Sequence, residues 1–229
     1  MRVLIGCEFS GVVRRAFAAR GHDAWSCDLR PAEDGSNRHF VGDVRDYLNE
    51  GWDLLAVFHP PCTRLCNSGV RWLSEPPPGK TLDQMWRELD EAAAFFSDLW
   101  NARGIERIAV ENPVMHKHAR ERITDFRPAA QTVQPWWFGD PAFKGTGLYL
   151  RNLPPLVPTN RLTPPAPGTD EHKAWSAVHR HTGWGKAGAE RWAARSRTFA
   201  GIAEAMADQW GDLDGMTPTQ RDLFDLRAA

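Results

Sequence analysis

Across its first 112 residues the chain alternates short apolar runs with stretches of helical periodicity. Runs this short and this apolar suit strands covered on both faces, and a helix between two strands forces them to pair in parallel. The pattern predicts an α/β fold with a doubly wound, Rossmann-like sheet and a small irregular insertion. Strands are expected at residues 2–6, about 24–28, about 38–43, 53–58 and 107–111. An amphipathic helix over 11–20 is stopped by Gly21. A long helix over about 81–102 carries Leu82, Met85, Leu89, Ala93, Phe96 and Trp100 on one stripe. Between them, residues 63–80 hold Gly69, Pro76, Pro77, Pro78 and Gly79, a loop longer than a connection needs.

The character changes after Pro113. Residues 128–168 are rich in Pro, with isolated strand-like pieces such as 147–150, and residues 164–190 read as irregular. A helix returns at about 198–210. The expected organisation is a catalytic and cofactor-binding core over 1–127, a reduced recognition region over 128–195, a returning helix within 196–212 and a tail over 213–229.

With 229 residues, 42% of them hydrophobic, the chain can bury one full core. No apolar run long enough to span a membrane is present, and the first residues enter a strand-like run without a signal-peptide pattern. Four cysteines read as free thiols, so the expected setting is cytoplasmic. Net charge is −1, which does not announce a nucleic-acid binder, but 23 Arg against five Lys favours phosphate-pairing forks. The 11 Trp add stacking surface.

In open α/β sheets ligands bind beyond the carboxyl ends of strands. Phe9-Ser10-Gly11 forms a tight turn after the first strand. Asp28 ends the second strand, where a carboxylate can accept from ribose hydroxyls, and Asp43 ends the third, where it can accept from an adenine amino group. An adenosine-bearing cofactor is expected there. Pro61-Cys62 follows the fourth strand, and Glu111-Asn112 ends the fifth. A thiolate at Cys62, its pKa lowered by Arg64 or Arg71, suits attack on carbon-6 of a pyrimidine. A partly desolvated Glu111 can protonate the ring nitrogen N3, which makes carbon-5 nucleophilic. Asn112 would hold the exocyclic amine or brace the Cys62 loop.

In this order, Phe9-Ser10-Gly11, Asp28, Asp43, Pro61-Cys62 and Glu111-Asn112 resemble the DNA cytosine carbon-5 methyltransferase family, in a short, phage-type form. The resemblance implies S-adenosyl-methionine as cofactor, bound by Phe9, Ser10, Gly11, Asp28, Asp43 and Pro61, with Cys62, Glu111 and Asn112 catalytic. It extends loosely to residues 201–206, where the family's last helix closes the methionine end of the pocket, beside Ser196, Arg197 and Thr198. The chain departs from the family in having Thr63 where Gln is usual. It also lacks the Gln-Arg-Arg-x-Arg stretch around 131–144, and it has little room for a target-recognition domain.

A carbon-5 within a stacked duplex is out of reach, so the base must be flipped or the substrate single-stranded. Arg64, Arg71, Trp72 and Lys80 are candidate contacts to a flipped nucleotide, and Arg151, Arg161, Arg180, Arg191, Arg195 and Arg197 candidate phosphate contacts. Zinc at His59, Cys62 and Cys66 would consume the nucleophile, so no metal is expected. Near the end, Gln220, Leu223 and Phe224 resemble the short peptide by which bacterial proteins dock on the sliding clamp. Two other readings stay open. One keeps fold and cofactor with a free nucleotide, RNA or premodified base as acceptor; the other is a non-catalytic DNA-binding module. The recognition sequence, strand preference, oligomeric state and biological role, or a host cytoplasm for a phage-encoded protein, do not follow from these residues.

Overall fold

A computed structural model describes residues 1–57, 60, 62–177 and 197–213. The expected Rossmann-like, doubly wound sheet is present. It has seven strands: β1 (Arg2–Gly6), β2 (Asp23–Asp28), β3 (His39–Val41), β4 (Leu54–Val57), β5 (Arg107–Asn112), β6 (Gln131–Val133) and β7 (Thr146–Arg151). Their spatial order is β3-β2-β1-β4-β5-β7-β6. The first five run parallel, while β7 lies antiparallel to both β5 and β6. Strand order reverses between β1 and β4, which puts the switch-point crevice beside the segments that follow those two strands.

Helices cover both faces, and strand parity decides which residue meets which helix. Leu4, Leu55, Ile108 and Val110 point to one face and pack with Met85, Leu89 and Phe96 of α2 (Leu82–Trp100). Val3, Ile5, Leu54, Ala56 and Ala109 point to the other. There they meet Val13 and Phe17 of α1 (Val12–Ala19). Ile202, Met206 and Trp210, from the C-terminal helix over Ala200–Gly211, complete that layer. Each fully buried large apolar side chain contributes about 1.5–3 kcal/mol. Two one-turn helices, α3 (Lys117–Arg120) and α4 (Asp170–Trp175), lie between α2 and that last helix, which is α5 here. α2 starts where it does because Thr81 and Gln84 form a reciprocal capping box.

Several expectations shift. The 63–80 loop contains two 3-10 turns, Cys62–Arg64 and Asn67–Leu73. Within the segment set apart as a recognition region, β6 and β7 are built into the sheet, and residues 170–175 are helical. Trp52, Trp100, Trp175 and Trp210 are buried in the protein, so they offer no stacking surface. Among the described residues no helix is long and apolar enough to cross a membrane.

Candidate active site

The β1 side of the crevice is braced by its own charges. Gly11 sits at φ +67°, a left-handed turn that a side chain would strain, and it starts α1. Glu8, which sequence reasoning passed over, is buried below this turn. Its carboxylate accepts from the Val13 amide at 2.7 Å and the Arg14 amide at 3.3 Å, and from the Ser10 hydroxyl at 3.4 Å. The exposed donors of the α1 N-terminus are thereby satisfied internally. Burial, the largest influence, pushes the Glu8 pKa up despite these donors. A carboxylate just before a strand-to-helix turn was the available signal. Arg14, buried on α1, donates to Ser26 of β2 at 3.2 Å and to Ser36 at 2.8 Å, and pairs with Asp34. It ties the loop after β2 to α1, and the Glu33 amide donates to the Phe9 carbonyl at 2.9 Å. Arg30 stacks over the Phe9 ring at 4.2 Å.

Asp28 and Asp43 stand close together at the ends of β2 and β3, since Asp28 is in register with Val41. Burial pushes the Asp28 pKa up. The Asp43 carboxylate, by contrast, is held low, first by the Arg45 side chain that hydrogen-bonds both its oxygens, and it caps the 3-10 turn at Val44–Tyr47. Beside Asp28, Leu29 is 77% exposed, and Val41 on the next strand is 58% exposed. These two aliphatic side chains leave apolar surface in water beside the Asp28 strand end. Sequence reasoning missed both; apolar residues flanking a strand-end Asp were the signal. A positive-φ turn, a desolvated carboxyl and this apolar pair fit the adenosine portion of a nucleoside cofactor such as S-adenosyl-methionine.

Across the switch point, β4 and β5 pair in register from Leu54 with Arg107 to Val57 with Val110. The turn at Cys62–Arg64 therefore follows the strand beside the one that ends in Glu111-Asn112. It is fastened to the stretch after β5 by several bonds. The His116 amide donates to the Leu65 carbonyl at 3.0 Å, and Asn67 donates to the Val114 carbonyl at 3.2 Å. His116 Nε2 donates to the Arg64 carbonyl at 2.7 Å, while its Nδ1 accepts from the Ala119 amide at 3.1 Å. Burial lowers the His116 pKa, in keeping with the neutral tautomer these two bonds require. Gly69 closes the loop: a Cβ there would lie 1.9 Å from the Thr63 carbonyl oxygen, so only glycine permits the approach.

Glu111 is 5% exposed. By strand parity it faces the α5 side, while Asn112 faces the α2 side. Asn112 is fully buried, and neither its Nδ2 nor its Oδ1 has a hydrogen-bond partner among the described residues. A buried unpaired polar atom costs about 1–3 kcal/mol. Glu111 lines a small open cleft with Lys144, Thr146, Thr198, Phe199, Ile202 and Met206. Thr198 was expected at the pocket from the resemblance; Lys144 was not.

The Cys62 thiol is pushed up to about 11, first by burial, then by the neighbouring Cys66 and the Glu111 charge, while Lys144 pulls the other way. This corrects the expectation of a thiol lowered by Arg64 or Arg71. Arg64 is spent on Glu88, at 2.7 Å, and Arg71 stacks on Trp72 at 4.1 Å. Lys80 pairs with the same Glu88, so two of the residues expected at DNA converge on one carboxylate of α2. Arg151 is likewise structural, donating to the carbonyls of Trp100 at 2.9 Å and Ala102 at 2.7 Å. Arg161 stacks on Trp137 at 5.1 Å, and Arg197 pairs with Glu33. Pro61, Arg180, Arg191, Arg195, Ser196 and the tail residues Gln220, Leu223 and Phe224 lie outside the described residues. Both ring nitrogens of His116 are occupied, and among the described residues no cluster of three His, Cys, Asp or Glu is placed to hold a metal.

Comparison with known proteins yields little. No family model matches the chain, and no curated protein matches it. Among solved structures, a prophage-encoded E. coli protein assigned as a DNA modification methyltransferase is similar at 14% identity with a TM-score of 0.43. The match covers 66% of this chain and 46% of that one, so this chain spans less than half of that neighbour's length.

Proposed function

We propose that this protein is a DNA methyltransferase that acts on carbon-5 of cytosine through a covalent bond to Cys62. The observation that carries the reading is the Cys62–Glu111 pair, brought together because β4, which precedes the Cys62 turn, pairs in register with β5, which carries Glu111. It stands at neighbouring strand ends beside the switch-point crevice. S-adenosyl-methionine, once bound near Asp28, Leu29 and Val41, supplies the methyl group. The chain's own residues do the rest. As the bond from the Cys62 sulfur to ring carbon-6 forms, the thiol proton passes to Glu111 and from there to N3. The ring electrons then make carbon-5 the nucleophile. After methylation, loss of the carbon-5 proton to a base expels the Cys62 sulfur, and N3 returns its proton. At pH 7 a thiol with a pKa near 11 is ionised in roughly one molecule in 10⁴. Sulfur attack and ring protonation therefore have to be coupled, and the resting enzyme stays protected from stray electrophiles.

DNA is the proposed polymer: the Cys62–Glu111 pair suits a cytosine ring, and a base inside a stacked duplex has to be extruded to meet it. Binding to a sliding clamp through the segment around Gln220, Leu223 and Phe224 belongs to the same proposal. Incubation with methyl-labelled cofactor and duplex DNA, single-stranded DNA or dCMP tests it. Label is expected in carbon-5 of cytosine in DNA and absent with Cys62→Ser. Label that enters dCMP alone, or that persists with Cys62→Ser, contradicts it.

A further inference from the structure

The turn that carries Cys62 is short, and part of what holds it lies on the stretch that follows β5. Cys62 opens the 3-10 turn that ends at Arg64, and its carbonyl accepts from the Leu65 amide at 3.0 Å and the Cys66 amide at 2.9 Å. The stretch from the end of β5 to α3 runs opposite and pairs with this segment through an antiparallel bridge between Cys66 and Met115. His116 closes that stretch as the N-cap of α3, and it is 4% exposed. Its imidazole touches both sides at once. Nε2 donates to the Arg64 carbonyl at 2.7 Å, and Nδ1 accepts from the Ala119 amide at 3.1 Å. A carbonyl only accepts and an amide N–H only donates, so the site calls for a side chain that donates at one end and accepts at the other. Neutral imidazole does so on a rigid ring, whereas an ammonium only donates and a carboxylate only accepts.

We propose that His116 is a positioning residue for Cys62: its ring is the strut that sets the Cys62 turn against the end of β5, where Glu111 stands. The inference rests on the Cys62–Glu111 reading. His116 touches neither substrate nor cofactor and acts through the Arg64 carbonyl, at the far end of the turn that Cys62 begins. The other ties between the two stretches are backbone bonds further along the chain, from His116 to Leu65 and from Asn67 to Val114. Of these ties the ring bond lies nearest to Cys62 in sequence. Attack on a ring carbon needs the sulfur within about 3–3.5 Å of it, and a misplacement of about 1 Å can cost roughly 10²-fold in rate. Loss of the strut is therefore a loss in kcat, with substrate binding left in place.

Two amide side chains separate the strut from the cap. In His116→Asn the shorter side chain still accepts from the Ala119 amide, as Asn does at helix N-caps, but stops short of the Arg64 carbonyl. In His116→Gln the longer side chain brings an amide donor to where Nε2 stood and gives up the cap. With His116→Asn, kcat for methyl transfer to DNA is expected to fall roughly tenfold to a hundredfold, with KM for DNA and cofactor within about threefold. His116→Gln is expected to keep kcat within about threefold. In urea unfolding His116→Gln should be the less stable of the two, so that activity and stability run in opposite orders. Alkylation of Cys62 by iodoacetamide at pH 9, followed by peptide mass, needs neither DNA nor cofactor. Its rate is expected to rise about tenfold with His116→Asn, as the released turn exposes the thiol, and to stay within about twofold with His116→Gln. His116→Ser, which also caps, takes the place of His116→Asn should that variant fail to fold. Equal losses of kcat in the two amide variants, or unchanged alkylation with His116→Asn, overturn the role of His116. Absence of methyl transfer in the unaltered protein counts instead against the catalytic reading, and the alkylation rates then decide on His116 alone.

Discussion

The two halves of the sheet's carboxyl edge solve the problem of buried polarity differently. On the β1–β2–β3 side, buried polar groups meet partners within the protein: Glu8 with the first amides of α1, Arg14 with Asp34, Asp43 with Arg45. On the β4–β5–β7 side, Asn112 is buried without a partner among the described residues, and the Cys62 thiol is held far from ionisation. The first half is paired internally. The second stores unspent polarity beside a cleft, as a site does when its partners arrive with the substrate. Perturbing the two halves should therefore give different failures.

The largest expected effect is in pH. Because the Cys62 pKa is raised, the reactive thiolate gains with every unit above neutrality. Alkylation of Cys62 in the unliganded protein should therefore climb by roughly 10³–10⁴ between pH 7 and about 11. A plateau below pH 9 would mean that the thiol is not buried as described. Next, Glu111→Gln removes the ring acid and should cut methyl transfer by roughly 10²–10⁴. It should also shift the Cys62 alkylation profile to lower pH, since the Glu111 charge is one of the causes holding the thiol up. Gly69→Ala drives a methyl into the Thr63 carbonyl and should displace the Cys62 turn. It is expected to cost about 1–3 kcal/mol of stability, while methyl transfer falls by two orders of magnitude or more and equilibrium cofactor binding stays within about threefold.

The mirror experiment is Asp28→Asn, which should weaken cofactor binding roughly tenfold to a hundredfold in a calorimetric titration. Cys62 alkylation should stay unchanged. Should Gly69→Ala abolish cofactor binding, or Asp28→Asn alter Cys62 reactivity, the two halves are not separable. The smallest effect is Arg14→Met. It removes the bonds from Arg14 to Asp34, Ser26 and Ser36, which keep Arg15, His39 and the Arg38 amide as partners, and should lower stability by about 1 kcal/mol, read in urea unfolding.

What could be read in the sequence follows the same division between local and distant causes. Strand and helix positions were legible because an apolar run or an i, i+3, i+4 stripe is local; β1 and the body of α2 fell where the periodicity put them. The places of Asp28, Asp43, Cys62 and Glu111 at strand ends were legible because the apolar runs before them mark the strands. Lys144 was not, because its proximity to Glu111 depends on β7 entering the sheet antiparallel, and nothing in residues 128–168 announces that pairing. The sign of the Cys62 shift was misread for a related reason. Arg64 and Arg71 are near in sequence, but Glu88 and Trp72 take them in space, and burial outweighs any neighbouring charge. Glu8 and Arg14 likewise look like ordinary surface residues until α1 packs on the sheet.

The most direct test of the covalent mechanism uses duplex DNA carrying 5-fluorocytosine, whose fluorine blocks the final release. With cofactor present, the account predicts a stable protein–DNA adduct attached at Cys62 by peptide mass, absent with Cys62→Ser. Methyl transfer to ordinary cytosine without any such adduct, or an adduct on another residue, would contradict it.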